Sequence, residues 1–334
     1  MKTAIVTGTL VLGLGLMAAC GSDDDKKPAP KDGGTGGNQG WVAAVGDNGT
    51  FAQTFDDVQW HERTLTDRDL HAVACVGNND GWAVGESGYV ARSTDSGETW
   101  TEQHVATDQT LRAVRLTSQF SGAQGKFIGI VAGDAGTIAV TDSGGDTWAL
   151  VPPLFGSTLR SVAVSHGGQL MLAVGDGAAV ARSMDRGASF APVTIPGAGD
   201  LYGVAMDASG GRILVVDSEG VIWESNDLGV SFDKSASLSR GLRAVAVSHD
   251  GKHALVAGNA GLIAEQHAEG NWQTAPAPTN RDLFAALISH DGLRKYVSGD
   301  QSTLFSGDIV GDAWSQVQLK GTATLRGMEN LDPR

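Results

Sequence analysis

A short opening, leucine followed by any residue, a small residue and a hydrophobic one, recurs seven times along this 334-residue chain. It appears as Leu70-His71-Ala72-Val73, Leu111-Arg112-Ala113-Val114, Leu159-Arg160-Ser161-Val162, Leu201-Tyr202-Gly203-Val204, Leu242-Arg243-Ala244-Val245, Leu283-Phe284-Ala285-Ala286 and Leu325-Arg326-Gly327-Met328. Successive leucines lie 41, 48, 42, 41, 41 and 42 positions apart. An apolar run ending in Gly and usually an acid follows at Gly46-Asp47, Gly85-Glu86, Gly133-Asp134, Gly175-Asp176, Val216-Asp217, Gly258-Asn259 and Gly299-Asp300. An aromatic closes each unit at Trp60, Trp100, Trp148, Phe190, Phe232, Trp272 and Trp314. Three features with one count mean one structural unit repeated seven times, which displaces the two-domain expectation that length alone suggests.

Within a unit, short β-branched and alanine-rich runs alternate with Gly, Asp and Ser turns, and no stretch holds a helical period. Four strands in about 42 residues is the signature of a propeller blade, a small sheet that buries its faces only against its neighbours around an axis. The predicted fold is therefore all-β: a single seven-bladed propeller over residues 41–330, with four-stranded antiparallel blades. The 47 glycines, about 14% of the chain against an average near 7%, are a turn inventory repeated seven times. Trp41 begins the first unit at its second strand, matching Gly81-Trp82, while Leu325 to Asn330 is an opening with no unit after it. The C-terminal strand is expected to become the innermost strand of the first blade and close the ring.

The net charge of −14, from 24 basic and 38 acidic residues, argues against a nucleic-acid partner, which requires a basic face. Cys20 and Cys75 are the only cysteines and make no disulfide framework or zinc spacing. Residues 1–19 read as an export signal, with Lys2, an apolar run from Ala4 to Met17, and Ala18-Ala19 before Cys20. The ending Leu16-Met17-Ala18-Ala19-Cys20 resembles a lipobox, which implies lipid modification of Cys20. Residues 20–40 are rich in Gly, Pro and charge and are expected to form a flexible tether. The expected location is the cell envelope, lipid-anchored at the outer membrane or periplasmic face, with the inner membrane left open as the alternative.

Four units carry a turn of the form S/T-x-D-x-G-x-T/S-W/F: Ser93 to Trp100, Thr141 to Trp148 with Ser143 in place of Asp, Ser183 to Phe190, and Ser225 to Phe232. The carboxylate can accept backbone N–H groups across the turn, glycine supplies a left-handed residue, and the aromatic seals the gap to the next sheet. These turns resemble the Asp-box, or BNR, repeat. Asp95, Asp185, Asp227, Trp100 and Trp148 are assigned structural roles. A single seven-bladed ring carrying Gly81-Trp82-Ala83-Val84-Gly85 and then Ser93 to Trp100 most resembles the photosystem II assembly and stability factor family. That resemblance implies a non-catalytic protein that binds membrane-protein partners through an arginine-rich face. The strongly acidic balance departs from it. Sialidases also carry Asp-boxes, but their arginine, tyrosine and R-I-P pattern is missing from this sequence.

The second residues of the seven openings, His71, Arg112, Arg160, Tyr202, Arg243, Phe284 and Arg326, are expected to ring one rim of the central channel. Four arginines there could receive an anionic group or an acidic peptide. They could equally pair with Asp47, Glu86, Asp134, Asp176, Asp217 and Asp300 in the turns of the same rim, and the two roles can coexist. The Ser165-His166, Ser248-His249 and Ser289-His290 turns are expected to stand far apart around the ring, so no metal site or other cofactor is expected. Cys75 reads as a buried small hydrophobe. The favoured function is a non-catalytic interaction platform for envelope or membrane protein complexes. The alternative is a glycan-binding or glycoside-hydrolase propeller, which would need paired carboxylates about 5 to 10 Å apart beside exposed aromatics.

Overall fold

The computed structural model describes residues 42–54, 59–76, 80–118, 127–268 and 270–330. The export signal, Cys20 and the tether lie outside the described residues. Each of the seven leucine openings begins an innermost strand, and each of those leucines is fully buried. In blade 2, for example, Leu70–Val76 pairs with Asp80–Gly85, which pairs with Tyr89–Ser93 and then with Thr101–His104, all antiparallel. Blades 3 to 7 open at Leu111, Leu159, Leu201, Leu242 and Leu283 and repeat the same four-strand order.

Blade 1 combines both ends of the described chain. Its strands Val42–Gly46, Thr50–Thr54 and Trp60–Thr64 are completed by Leu325–Asn330, which pairs antiparallel with the first of them. The seven innermost strands then contact one another in an unbroken cycle, and Leu325–Asn330 packs against Leu70–Val76 as the others pack on their successors. That last approach is close: a Cβ on Gly327 would lie 2.8 Å from the Cα of Ala72.

The hydrophobic core is divided among the gaps between blades, as the inability of one small sheet to bury itself requires. Ala43, Val45 and Phe51 of blade 1 meet Leu70, Val73, Ala83 and Tyr89 of blade 2, and each other gap holds an equivalent cluster. The closing aromatics seal these gaps from below. Trp100 of blade 2 stands edge-on to Phe51 of blade 1 at 5.2 Å between ring centroids.

The glycine that ends most second strands has a steric reason. At Gly133 a Cβ would lie 2.1 Å from the carbonyl oxygen of Thr110, and at Gly175 it would lie 2.0 Å from that of Thr158. The residue before each opening leucine presses on this glycine, so no side chain fits. Blade 5 departs from the pattern. Asp217, expected in the rim turn, instead pairs with Leu201 at the glycine's own position and is fully buried. Its carboxyl group accepts from Trp223 Nε1 at 2.9 Å and from the Val221 N–H at 2.8 Å, so its buried oxygens have partners inside the core.

Candidate functional site at the upper mouth

The seven rim residues share a backbone peculiarity. In every blade the pairing register slips by one residue after the opening leucine. Leu70 pairs with Gly85 and Ala72 with Val84, which leaves His71 unpaired. The same slip skips Arg112, Arg160, Tyr202, Arg243, Phe284 and Arg326. A β-bulge of this kind re-aims a side chain away from the sheet's alternation. All seven bulged side chains line one cavity of about 150 Å³ at the upper mouth of the channel. The expected ring therefore forms.

Pairing accounts for three of its arginines. Arg112 donates to both carboxylate oxygens of Asp134 at 2.5 and 3.0 Å, and Arg160 does the same to Asp176 at 2.5 and 2.9 Å. Arg326 donates through Nε to Asp47 at 2.6 Å. Asp134 resists burial, which alone would raise its pKa, because the Arg112 fork outweighs it and holds the carboxyl below its usual range.

Arg243 differs. The position that holds the acid in other blades is Asn259, whose Oδ1 accepts from Arg243 Nε at 2.8 Å. A neutral amide orients the guanidinium without cancelling its charge. The same guanidinium stands 4.6 Å from the Tyr202 ring centroid and 5.9 Å from that of Phe284, while Arg160 stands 4.7 Å from Tyr202. These are cation–π distances. Tyr202 replaces arginine in the very blade where Asp217 has left the rim, so the two departures belong together. Across the mouth, His71 is pushed down to about 4, first by burial and then by the charges of Arg112 and Arg326. It stands neutral at neutral pH.

The Asp-box turns lie at the opposite end of the blades. Asp185 accepts from the Ser189 N–H at 2.9 Å, the Ser189 hydroxyl at 2.5 Å and the Ser183 hydroxyl at 2.7 Å, while Ser183 Oγ accepts from the Gly187 N–H. Asp95 and Asp227 make the same bonds, and Ser143 takes the place of Asp by accepting from the Thr147 N–H at 3.0 Å. These bonds, led by the Ser189 hydroxyl, hold Asp185 at about 2. Gly97 at φ +76 follows Ser96 at φ +66, so the turn needs two successive left-handed residues and glycine carries one of them.

The lower mouth corrects the expectation about the histidines. His166, His249 and His290 do not stand far apart. Their turns bend toward the axis, and the ring centroids lie 6.3 Å apart for His166 and His249 and 4.6 Å for His249 and His290. They line a second cavity of about 220 Å³ with Asp207 and the Arg115–Glu329 ion pair. Among the described residues no group of three or more His, Cys, Asp or Glu is placed to hold a metal ion. Cys75 lies at the same end, and burial pushes its thiol up to about 12, so it is not a thiolate at neutral pH.

One seven-bladed ring, four of whose blades carry Asp-box turns, with a rim of bulged arginines and aromatics, defines a BNR-type propeller. The family described as photosynthesis system II assembly factor YCF48 matches residues 52–322, and the chain belongs to that family. A solved structure described as YCF48 bound to D1 peptide is similar in fold, with a TM-score of 0.60 at 15% identity over 97% of this chain and 98% of that one. No curated protein matches the chain.

Proposed function

We propose that this protein is a non-catalytic interaction platform whose upper mouth receives an acidic segment of a protein partner. Arg243 carries the reading. It is aimed into the cavity by a bulge, held in place by a neutral amide and flanked by two aromatic rings. A guanidinium oriented this way is ready for a carboxylate, while the paired arginines around it keep the rim ordered. Family membership and the D1 peptide bound by the similar structure support a protein partner.

The lipobox-like ending at Cys20 supports a lipid anchor, and residues 20–40 a tether that holds the ring at the cell envelope. The tether would join at Val42, at the end of its strand remote from Gly46 and the rim. The mouth would then face away from the attachment point. Against the glycan reading, the rim acids Asp47, Asp134 and Asp176 are each engaged by an arginine.

Binding is tested by comparing wild type with the Arg112→Ala/Arg160→Ala/Arg243→Ala variant against a labelled D1 peptide and against envelope extracts. A partner held by wild type and lost by the folded variant supports the reading, and equal retention by both removes the mouth from the function. Anchoring is tested by Cys20→Ser, which should release the chain from the membrane fraction and abolish incorporation of labelled fatty acid. Persistence of both would overturn the anchor.

A further inference from the structure

Blade 6 carries a second pair of histidines at its lower end, outside both channel mouths. His253 begins the strand His253–Gly258 and His267 ends the strand Ile263–His267, and the two are direct cross-strand partners. Their Nδ1 atoms face each other at 3.0 Å. On the other side of its ring, His267 directs Nε2 toward Glu265 Oε2 at 3.4 Å. Glu265 is itself fixed, because the buried Lys295 donates to both of its oxygens at 2.8 and 2.7 Å. With a proton on Nε2, beside the Glu265 carboxylate, the His267 ring would present its Nδ1 lone pair to His253.

We propose that His253 and His267 form a two-imidazole site for a borderline divalent transition-metal ion such as zinc, nickel or copper. Metal–imidazole bonds of about 2.0–2.1 Å place two nitrogens on one ion roughly 2.9 to 3.4 Å apart for angles between square and tetrahedral. The observed 3.0 Å lies inside that range, so modest rotation of the two rings would aim both lone pairs at one ion set to the side of the line between them. His253 then carries its single proton on Nε2, and neither ring needs to lose one to solvent. A carboxylate behind one ligand is the arrangement that orients a metal-bound histidine and raises its basicity.

Asp250 and Lys252 lie in the turn before His253, where Lys252 Nζ donates to the Asp250 carboxylate at 2.7 Å. Beside His267, the Lys295 ammonium compensates Glu265. Arg212 reaches the Gln266 side chain and the Gly251 carbonyl nearby, and it is occupied by Glu224. Imidazole nitrogens select transition metals over calcium and magnesium, which need oxygen cages. Water completes the coordination, consistent with the lack of any three-ligand group among the described residues. The bound ion would clip two strands of blade 6 together on the Asp-box face, remote from the rim.

The test is calorimetric titration of the untagged full-length chain with zinc chloride and with nickel chloride, alongside His253→Ala and His267→Ala. Wild type should bind one equivalent, each variant should bind at least about tenfold more weakly, and zinc should raise the melting temperature of wild type only. Magnesium should do nothing. No binding by wild type overturns the site, as does equal binding by both variants or a loss that follows His249→Ala with His290→Ala instead. The His267 side chain is well exposed, so His267→Ala decides the matter should His253→Ala fail to fold.

Discussion

Arg326 donates from Nε to the Asp47 carboxylate at 2.6 Å across a separation of 279 positions, making the longest-range ion pair at the rim. It is the counterpart of Arg112 with Asp134 and Arg160 with Asp176, pairs formed within one blade by residues 22 and 16 apart. Blade 1 reaches the same rim geometry only by drawing its first strand from one end of the propeller and its remaining three from the other. The rim pairs are thus a property of the ring, and closure supplies the missing member.

Deletion of residues 321–334 should therefore cost much more than the loss of a tail. It removes the buried Leu325 and Met328, the pairing along Val42–Gly46, and Gly321, whose N–H donates to Glu62 at 3.1 Å. Loss of two buried side chains alone is worth several kcal/mol, or about 10 °C or more in melting temperature for a domain of this size. The bared strand edge should also promote aggregation. Differential scanning calorimetry of the truncated chain checks this, and a melt like that of the full-length protein would overturn the closure.

The recurrent glycine offers a paired test of close approach. Gly133→Ala forces a Cβ to 2.1 Å from the Thr110 carbonyl oxygen, so either the opening of blade 3 must move or the bulge must be lost. A destabilisation of about 2–4 kcal/mol is expected. Gly156→Ala, with nothing within 4 Å of the new atom, should stay within about 0.5 kcal/mol of wild type. Urea unfolding of the two variants separates sterics from composition, and similar midpoints would contradict the packing account.

Much of this architecture was legible in the sequence because each blade repeats the same local chemistry. The buried leucines, the Asp-box bonds and the ring of second residues all follow from counting positions. Three things did not. The bulge at His71 and its six counterparts depends on how one strand registers on the next, which no single segment specifies. Asp217 follows an apolar run like the other rim acids, and on that pattern alone it matches them. The missing glycine before it signals that aspartate has moved inward, and Trp223 is the partner it found there. The three turn histidines belong to separate blades, but inner turns converge on the axis, and distance along the chain does not report distance across a narrow mouth.

Ordering and binding separate between two arginines. Arg112→Ala strands Asp134, which has lost its fork in a half-buried place, and should lower stability by about 1 kcal/mol after allowance for solvent. Arg243→Ala leaves only the Asn259 amide and two ring contacts behind, so its stability cost should be smaller. Partner retention should show the reverse order, with Arg243→Ala the more damaging. Chemical denaturation and partner capture on the same preparations check the crossover, and a parallel order in both measurements would show that Arg243 only orders the rim.

His71 provides a titratable probe of the mouth. Its value of about 4 in the fold lies below imidazole's ordinary 6.5, because burial and then Arg112 and Arg326 oppose a third positive charge. Between those values the unfolded chain binds a proton that the folded chain refuses. The contribution is therefore complete above about pH 6.5 and is lost as pH falls toward 4, so acid in this window weakens the fold. An NMR titration of the His71 ring should show a midpoint near 4, and His71→Asn should flatten this part of the stability profile. Arg112→Gln should raise the midpoint only part of the way toward 6.5, since burial is the larger cause and remains. A wild-type midpoint near 6.5 would mean that the mouth is neither dry nor positive, and Arg243 would then have no electropositive setting in which to hold a carboxylate.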